Sequence, residues 1–237
     1  MATPQQEIRR LLRRVRQDQL EDLLINRRIF QQFEEATKKH VGTDHSTQLA
    51  EWIAQCYIGN ASTAIRRIVE PPPTTPKPKS CPNCGHTFPA PKPKPESSVS
   101  LVILLEELKK HPSLLARQRY LKMCRKGGPV AERFADQWFD KMAGKKEATA
   151  VSTAVINRDI VRLKRQTKQV KRLVNKLVAH TEMDRRRIGT HRYGNLNSAI
   201  NVLLEVYRKY ALLIEGSEPA FPLEDFDVSE DFAKIWP

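Results

Sequence analysis

The chain has 237 residues, enough for one large helical domain or a domain carrying an insert. Lysine and arginine total 41 against 27 acids, and the formal net charge of +14 favours a polyanionic partner, RNA or a nucleotide most simply, although ordinary solubility charge gives the same balance. No run approaches the roughly 18 to 20 apolar residues of a membrane span, and MATPQQEIRRLLRRVRQ lacks the apolar centre of a signal peptide, so the expectation is a cytoplasmic protein with no membrane partner.

Residues 4–40 predict one helix. They are rich in Gln, Glu, Leu, Ile and Arg, with no Gly or Pro after Pro4. Ile8, Leu11, Leu12 and Val15 follow helical spacing, and Leu20, Leu23 and Leu24 continue it more loosely. Arg9, Arg10, Arg13, Arg14 and Arg16 read as a solvated face. Thr43 or Asp44 can cap a second helix over about 45–69, with Leu49, Trp52, Ile53, Cys56, Tyr57, Ile65 and Ile68 as its buried side. Pro71, Pro72 and Pro73 stop it, since proline lacks the amide donor.

Residues 71–98 alternate Pro with Lys around one short cysteine knot, and read as an extended insertion between helices. The helical pattern resumes at Val99. VSLVILLEELKKHP gives a short helix ended by Pro112, and Ser113 can cap the next, through about Arg125. Gly127 and Gly128 break the chain, and Pro129 starts a helix carrying Phe134, Trp138, Phe139 and Met142, closed by Gly144. The longest pattern runs from about Val151 to Met183, where Ile156, Ile160, Leu163, Val170, Val174 and Leu177 form a long bundle stripe. Gly189 to Gly194 predict a break before a last helix over about 195–214. No segment alternates as a half-buried strand would. The expected fold class is all-α.

Charge on the long helix is one-sided. Arg158, Arg162, Lys164, Arg165, Lys168, Lys171, Arg172 and Lys176, followed by Arg185, Arg186 and Arg187, meet only Asp159, Glu182 and Asp184. That excess attracts phosphates, and Arg165, Lys168, Arg185 and Arg186 are the expected nucleic-acid contacts. Within it, Arg172, Lys176 and His180 stand at i, i+4 and i+8, on related faces. A histidine can serve as general acid or base, a nearby cation can stabilise charge on a phosphate, and Asn175 can orient a hydroxyl. A histidine that merely ends a helix, set against its C-terminal dipole, fits the same spacing.

The string LVNKLVAHTEMD resembles the R-N-K-x-x-A-H hallmark of the HEPN superfamily (higher eukaryotes and prokaryotes nucleotide-binding). The abortive-infection AbiU-like branch is similar in order. An early helix ends in Ala64-Ile65-Arg66-Arg67-Ile68-Val69-Glu70-Pro71, Ser100-Leu101 follows, then the motif helix and a final helix. The resemblance spans about 25–70 and 99–215. It implies a HEPN-like helical bundle, 1–70 supplying its first helices and 99–215 the remainder, with 71–98 as insertion and 216–237 as an acidic tail. It also implies a homodimer, an RNA or nucleotide ligand, and a phage-defence or toxin–antitoxin setting with an antitoxin protein as a further partner.

In active members Arg and His of both subunits meet in a cleft that cleaves RNA without a metal. Carried here, His180 is the catalytic position and Asn175 the polar residue after the Arg. Val174 stands where the Arg is expected. Arg172 is about 200° round the helix from Val174, and the Lys176 ammonium lacks the bidentate fork of guanidinium. The departure favours binding over cleavage. The alternative is a metal-independent ribonuclease toxin using His180, with Lys176 or Arg172 as electropositive support.

Of the four cysteines, Cys56, Cys81, Cys84 and Cys124, only Cys81 and Cys84 are close in sequence, which argues against a disulfide framework. Cys81-Pro82-Asn83-Cys84-Gly85-His86 resembles one knuckle of a zinc ribbon. Tetrahedral zinc would need His86 and one more ligand, or the same knuckle from a second subunit; an unmetallated loop is the other reading. Cys56 and Cys124 fall in helical segments as apolar residues. The tail, with Phe221, Phe226, Phe232 and Trp236 among its acids, reads as loop, or as a strap docking its aromatics over the basic helix.

Overall fold

In a computed structural model of the chain, residues 2–38, 44–70, 79–80, 87–88, 99–125, 128–174, 191–221 and 226–235 are described. The fold is all-α. Helix α1 (Pro4–Val15) passes through a π-helical turn (Arg16–Leu20) into α2 (Glu21–Lys38), and α3 (Asp44–Val69) follows. Two short strands, β1 (Lys79–Ser80) and β2 (Thr87–Phe88), pair antiparallel, Lys79 opposite Phe88 and Ser80 opposite Thr87. Then come α4 (Leu101–Lys110), α5 (Arg117–Cys124), α6 (Pro129–Ala143), α7 (Thr153–Val174), α8 (His191–Glu215) and α9 (Ser229–Ile235).

Helix α7 is central, packed against α8, α3 and α4, while α8 also meets α1, α3 and α5. α6 packs chiefly on α5. The core is one cluster running from Ile8 and Leu12 through Ile65, Leu104, Tyr120 and Phe139 to Ile160 and Tyr210.

The expected helix over 4–40 is interrupted. Ile8, Leu11, Leu12 and Val15 are buried as their spacing requires, but the next buried residue is Leu20, five positions on. An α-helix would turn Leu20 well away from the core side; the π turn inserts the extra residue and brings Leu20, Leu23 and Leu24 back to it. Thr3 caps the start in a full capping box with Gln6.

In α3 the expected buried side splits in two. Tyr57, Ile65 and Ile68 are buried, with Ile58 and Ala61, but Leu49, Trp52 and Cys56 are exposed, Trp52 at 62%. At about 100° per residue the two stripes lie roughly 150° apart, so only one can face the bundle. Ser113 does not cap α5 either. Pro112–Leu115 forms a 3-10 turn, Ala116 is extended and bridges Ala150, and α5 starts from there. Arg117 clasps the loop before α7, donating to the Ala148 carbonyl at 2.7 Å and pairing with Asp136 and Asp140.

The expected break over 189–194 does not reach its C-terminal half, because His191–Gly194 already belong to α8. A helical glycine costs only about 1 kcal/mol, which tertiary packing overrides. Gly216 ends α8 with φ +78, and a Cβ there would lie 2.8 Å from Met123. The tail is not all loop. Its helix α9 packs on α2, where Phe232 meets Phe33 edge-on at 5.6 Å, and buried Gln32 bonds Asp227 and the Val228 amide. Phe221 lies against Tyr207 of α8. Among the described residues, Phe232 therefore sits on α2 and Phe221 on α8; Trp236 lies outside the described residues.

Candidate nucleic-acid interface

Helix α7 sorts its residues by charge. Val155, Ile156, Asp159, Ile160, Leu163, Thr167 and Val170 are buried. The stripe foreseen through Ile156, Ile160, Leu163 and Val170 is present, and Thr167 fills its seven-residue gap, its hydroxyl donating to the Leu163 carbonyl at 2.9 Å. The opposite side presents Arg158, Arg162, Lys164, Arg165 and Lys168 around exposed Val161.

Asp159 is the only acid in α7, and it points inward. Its Oδ2 accepts from Lys209 Nζ and from the Tyr210 hydroxyl, each at 2.8 Å. Lys209 of α8 thus balances the charge of the carboxylate inside the bundle and the Tyr210 hydroxyl hydrogen-bonds it, and the outer face of α7 is left without an acid of its own. Arg162 is held by Glu205 of α8 through two parallel bonds of 2.7 Å. Hydrogen bonding to Arg162 holds the Glu205 carboxyl below its ordinary range, and the same bonds raise the Arg162 guanidinium. Among the described residues, Arg158, Lys164, Arg165 and Lys168 have no ion-pair partner. The face therefore carries four uncommitted cations and one committed one, an arrangement that suits phosphates.

Of the residues singled out by sequence, Arg165 and Lys168 lie on this face, and Arg172 belongs to the last turn of α7, seven residues beyond Arg165, its side chain outside the description. Asn175, Lys176, His180, Arg185 and Arg186 lie outside the described residues, as do Cys81, Cys84 and His86. Among the described residues, no cluster of three or more His, Cys, Asp or Glu is placed to hold a metal ion, and no helix is long and apolar enough to cross a membrane. The Asp159–Lys209–Tyr210 cluster was not foreseen. Its signal was present, because Asp159 stands at i+3 from Ile156 and i−4 from Leu163, on the apolar stripe.

Burial pushes the Tyr210 hydroxyl far above its ordinary value, helped by the Asp159 charge, and burial raises Tyr207 and Tyr120 as well. A group with a raised folded-state pKa contributes stability that is whole below its unfolded value and lost as pH rises above it. These three of the five tyrosines should keep their protons until the helices melt at a pH above about 10, the unfolded tyrosine value. Tyrosinate absorbance and helical circular dichroism followed together check this; early titration of all five with helicity intact would contradict it.

No family model, no curated protein and no solved structure matches the chain.

Proposed function

We propose that this chain is a HEPN-like, AbiU-like RNA-binding protein of a phage-defence or toxin–antitoxin system, acting as a homodimer, with the outer face of α7 as its RNA contact. One observation carries the reading: the single acid of α7 is turned into the bundle, leaving Arg158, Lys164, Arg165 and Lys168 exposed and, among the described residues, without ion partners. A helix needing charge only for solubility gains from mixed signs, whereas a one-signed face raises the local concentration of a polyanion. The test is fluorescence anisotropy of a labelled single-stranded RNA against the full chain at several salt concentrations. Binding that falls linearly on a log–log plot supports the reading, and absence of binding at low salt ends it.

The motif VNKLVAH favours a second role, cleavage with His180 as general base or acid, Asn175 orienting the attacking hydroxyl and Lys176 or Arg172 supporting the phosphate. Val174 in place of the motif Arg argues for binding alone. RNA incubated in EDTA with wild type and His180→Ala separates them. Binding alone predicts equal, background-level products; cleavage predicts products that the substitution removes.

The cofactor proposed is a structural zinc at Cys81, Cys84 and His86, completed by one more ligand or by the knuckle of a second subunit. The Ser80–Thr87 pairing supports it by joining the two ends of the six-residue segment that holds all three donors. A soft thiolate pair with an imidazole suits zinc, and the ion would supply a cross-link, not chemistry. Purified wild type should hold between 0.5 and 1 zinc per chain, on the order set by a shared or a private site, and Cys84→Ser close to none. A wild-type ratio near zero rejects the site.

A further inference from the structure

Helix α6 buries Ala135 and Phe139 and leaves the rings of Phe134 and Trp138 outside, 37% and 38% exposed. The two rings lie 29° from parallel with centroids 6.0 Å apart, and the Arg133 guanidinium sits 5.8 Å from the Phe134 centroid. Trp138 also walls a groove. With Lys141 and Met142 it faces Leu212 of α8 and the Gly216–Glu218 turn across about 510 Å³. At Met142 and Leu212 this space runs into a second of about 460 Å³, lined by Leu204 and Arg208.

The acids round the groove are already engaged. Glu218 pairs with Arg208, Glu205 with Arg162, and Asp136 and Asp140 with Arg117. Lys141 has no ion partner among the described residues. Glu205, which lines the second space, is bonded to Arg162 of α7, so the groove opens directly beside the cationic face. Exposed flat rings, an apolar cleft and flanking cations continuous with a phosphate-binding face are what unpaired bases use. An apolar partner helix would use the cleft but not the cations beside it.

We propose that the groove between α6 and α8 takes unpaired bases of a single-stranded RNA, stacked on Trp138 and Phe134, while the backbone crosses Lys141 onto α7. The assignment rests on the RNA-binding reading above and narrows it to single strands. Every base has a stacking face, so the groove is sequence-tolerant.

The test uses the full chain, a uridine-rich 12-mer and a duplex of the same length. Trp138→Ala should weaken the single strand by about tenfold or more and leave its salt slope unchanged, since stacking releases no counterions. Trp138→Phe keeps a ring and should stay within about threefold of wild type. Trp52→Ala, exposed on α3, should change nothing, and circular dichroism of each variant checks its fold; should Trp138→Ala misfold, Phe134→Ala takes its place. Unchanged single-strand affinity in a folded variant overturns the groove while leaving α7 standing. Equal loss on the duplex overturns the stacking role, and a dimer that Trp138→Ala splits makes the groove a self-interface instead. A wild type that binds no RNA removes both readings together.

Discussion

Replacing Arg158, Arg165 and Lys168 together by alanine weakens single-stranded RNA binding by about 50-fold at 0.15 M salt and lowers the salt slope by about two. The magnitude follows from counterion release. Each phosphate contact on a single strand contributes about 0.7 to the slope, which at that salt is about fourfold in affinity, and three contacts multiply. The fold should not respond, because all three side chains are exposed and, among the described residues, without ion partners, and alanine is at least as good a helix former. Arg162→Ala should cost less, since its guanidinium is already engaged by Glu205. Anisotropy titrations at four or five salt concentrations measure both quantities. A triple variant with wild-type affinity and slope would place the RNA contact, if any, away from α7.

The sequence made the helices legible where one physical signal dominated. Pro129 after Gly128 opens α6 and Gly144 at φ +67 closes it, because proline fits the first turn and glycine alone takes the left-handed cap without strain. Ile156, Ile160, Leu163 and Val170 marked the buried side of α7 by period alone. Where two signals competed, sequence could not rank them. In α3 the run Leu49, Trp52, Cys56 is as helical in spacing as Tyr57, Ile65, Ile68, and only the positions of α2, α7 and α8 decide which stripe is covered. Helix α9 was hidden because seven residues are too few to show a period; its place comes from Phe232 on Phe33, a long-range contact. The cationic candidates Arg165 and Lys168 were found by charge counting. Charge counting also set Asp159 among the residues opposing them, and there it misled, since the carboxylate faces the other way.

Asp159→Ala should be the most damaging single substitution in α7, lowering stability by about 3 to 5 kcal/mol. The cost does not come from losing an attraction. Removing the carboxylate leaves the Lys209 ammonium and the Tyr210 hydroxyl, both turned into the α7–α8 contact, without the oxygen they share. For a chain of this size that is a fall in Tm of about 10 °C. Asp159→Asn keeps an acceptor for the hydroxyl but not the charge, and should fall between. Arg162→Ala breaks a pair between the same two helices that is open to solvent, and should cost no more than about 1 kcal/mol. The contrast separates the two roles of α7: the inward acid fixes the helix in the bundle, and the outward cations are free for phosphate because it does. RNA affinity of the folded Asp159→Asn variant should accordingly match wild type. If Asp159→Ala melts within about 2 °C of wild type, Lys209 and Tyr210 must reach water when the carboxylate is gone, and the cluster does not lock α7 to α8.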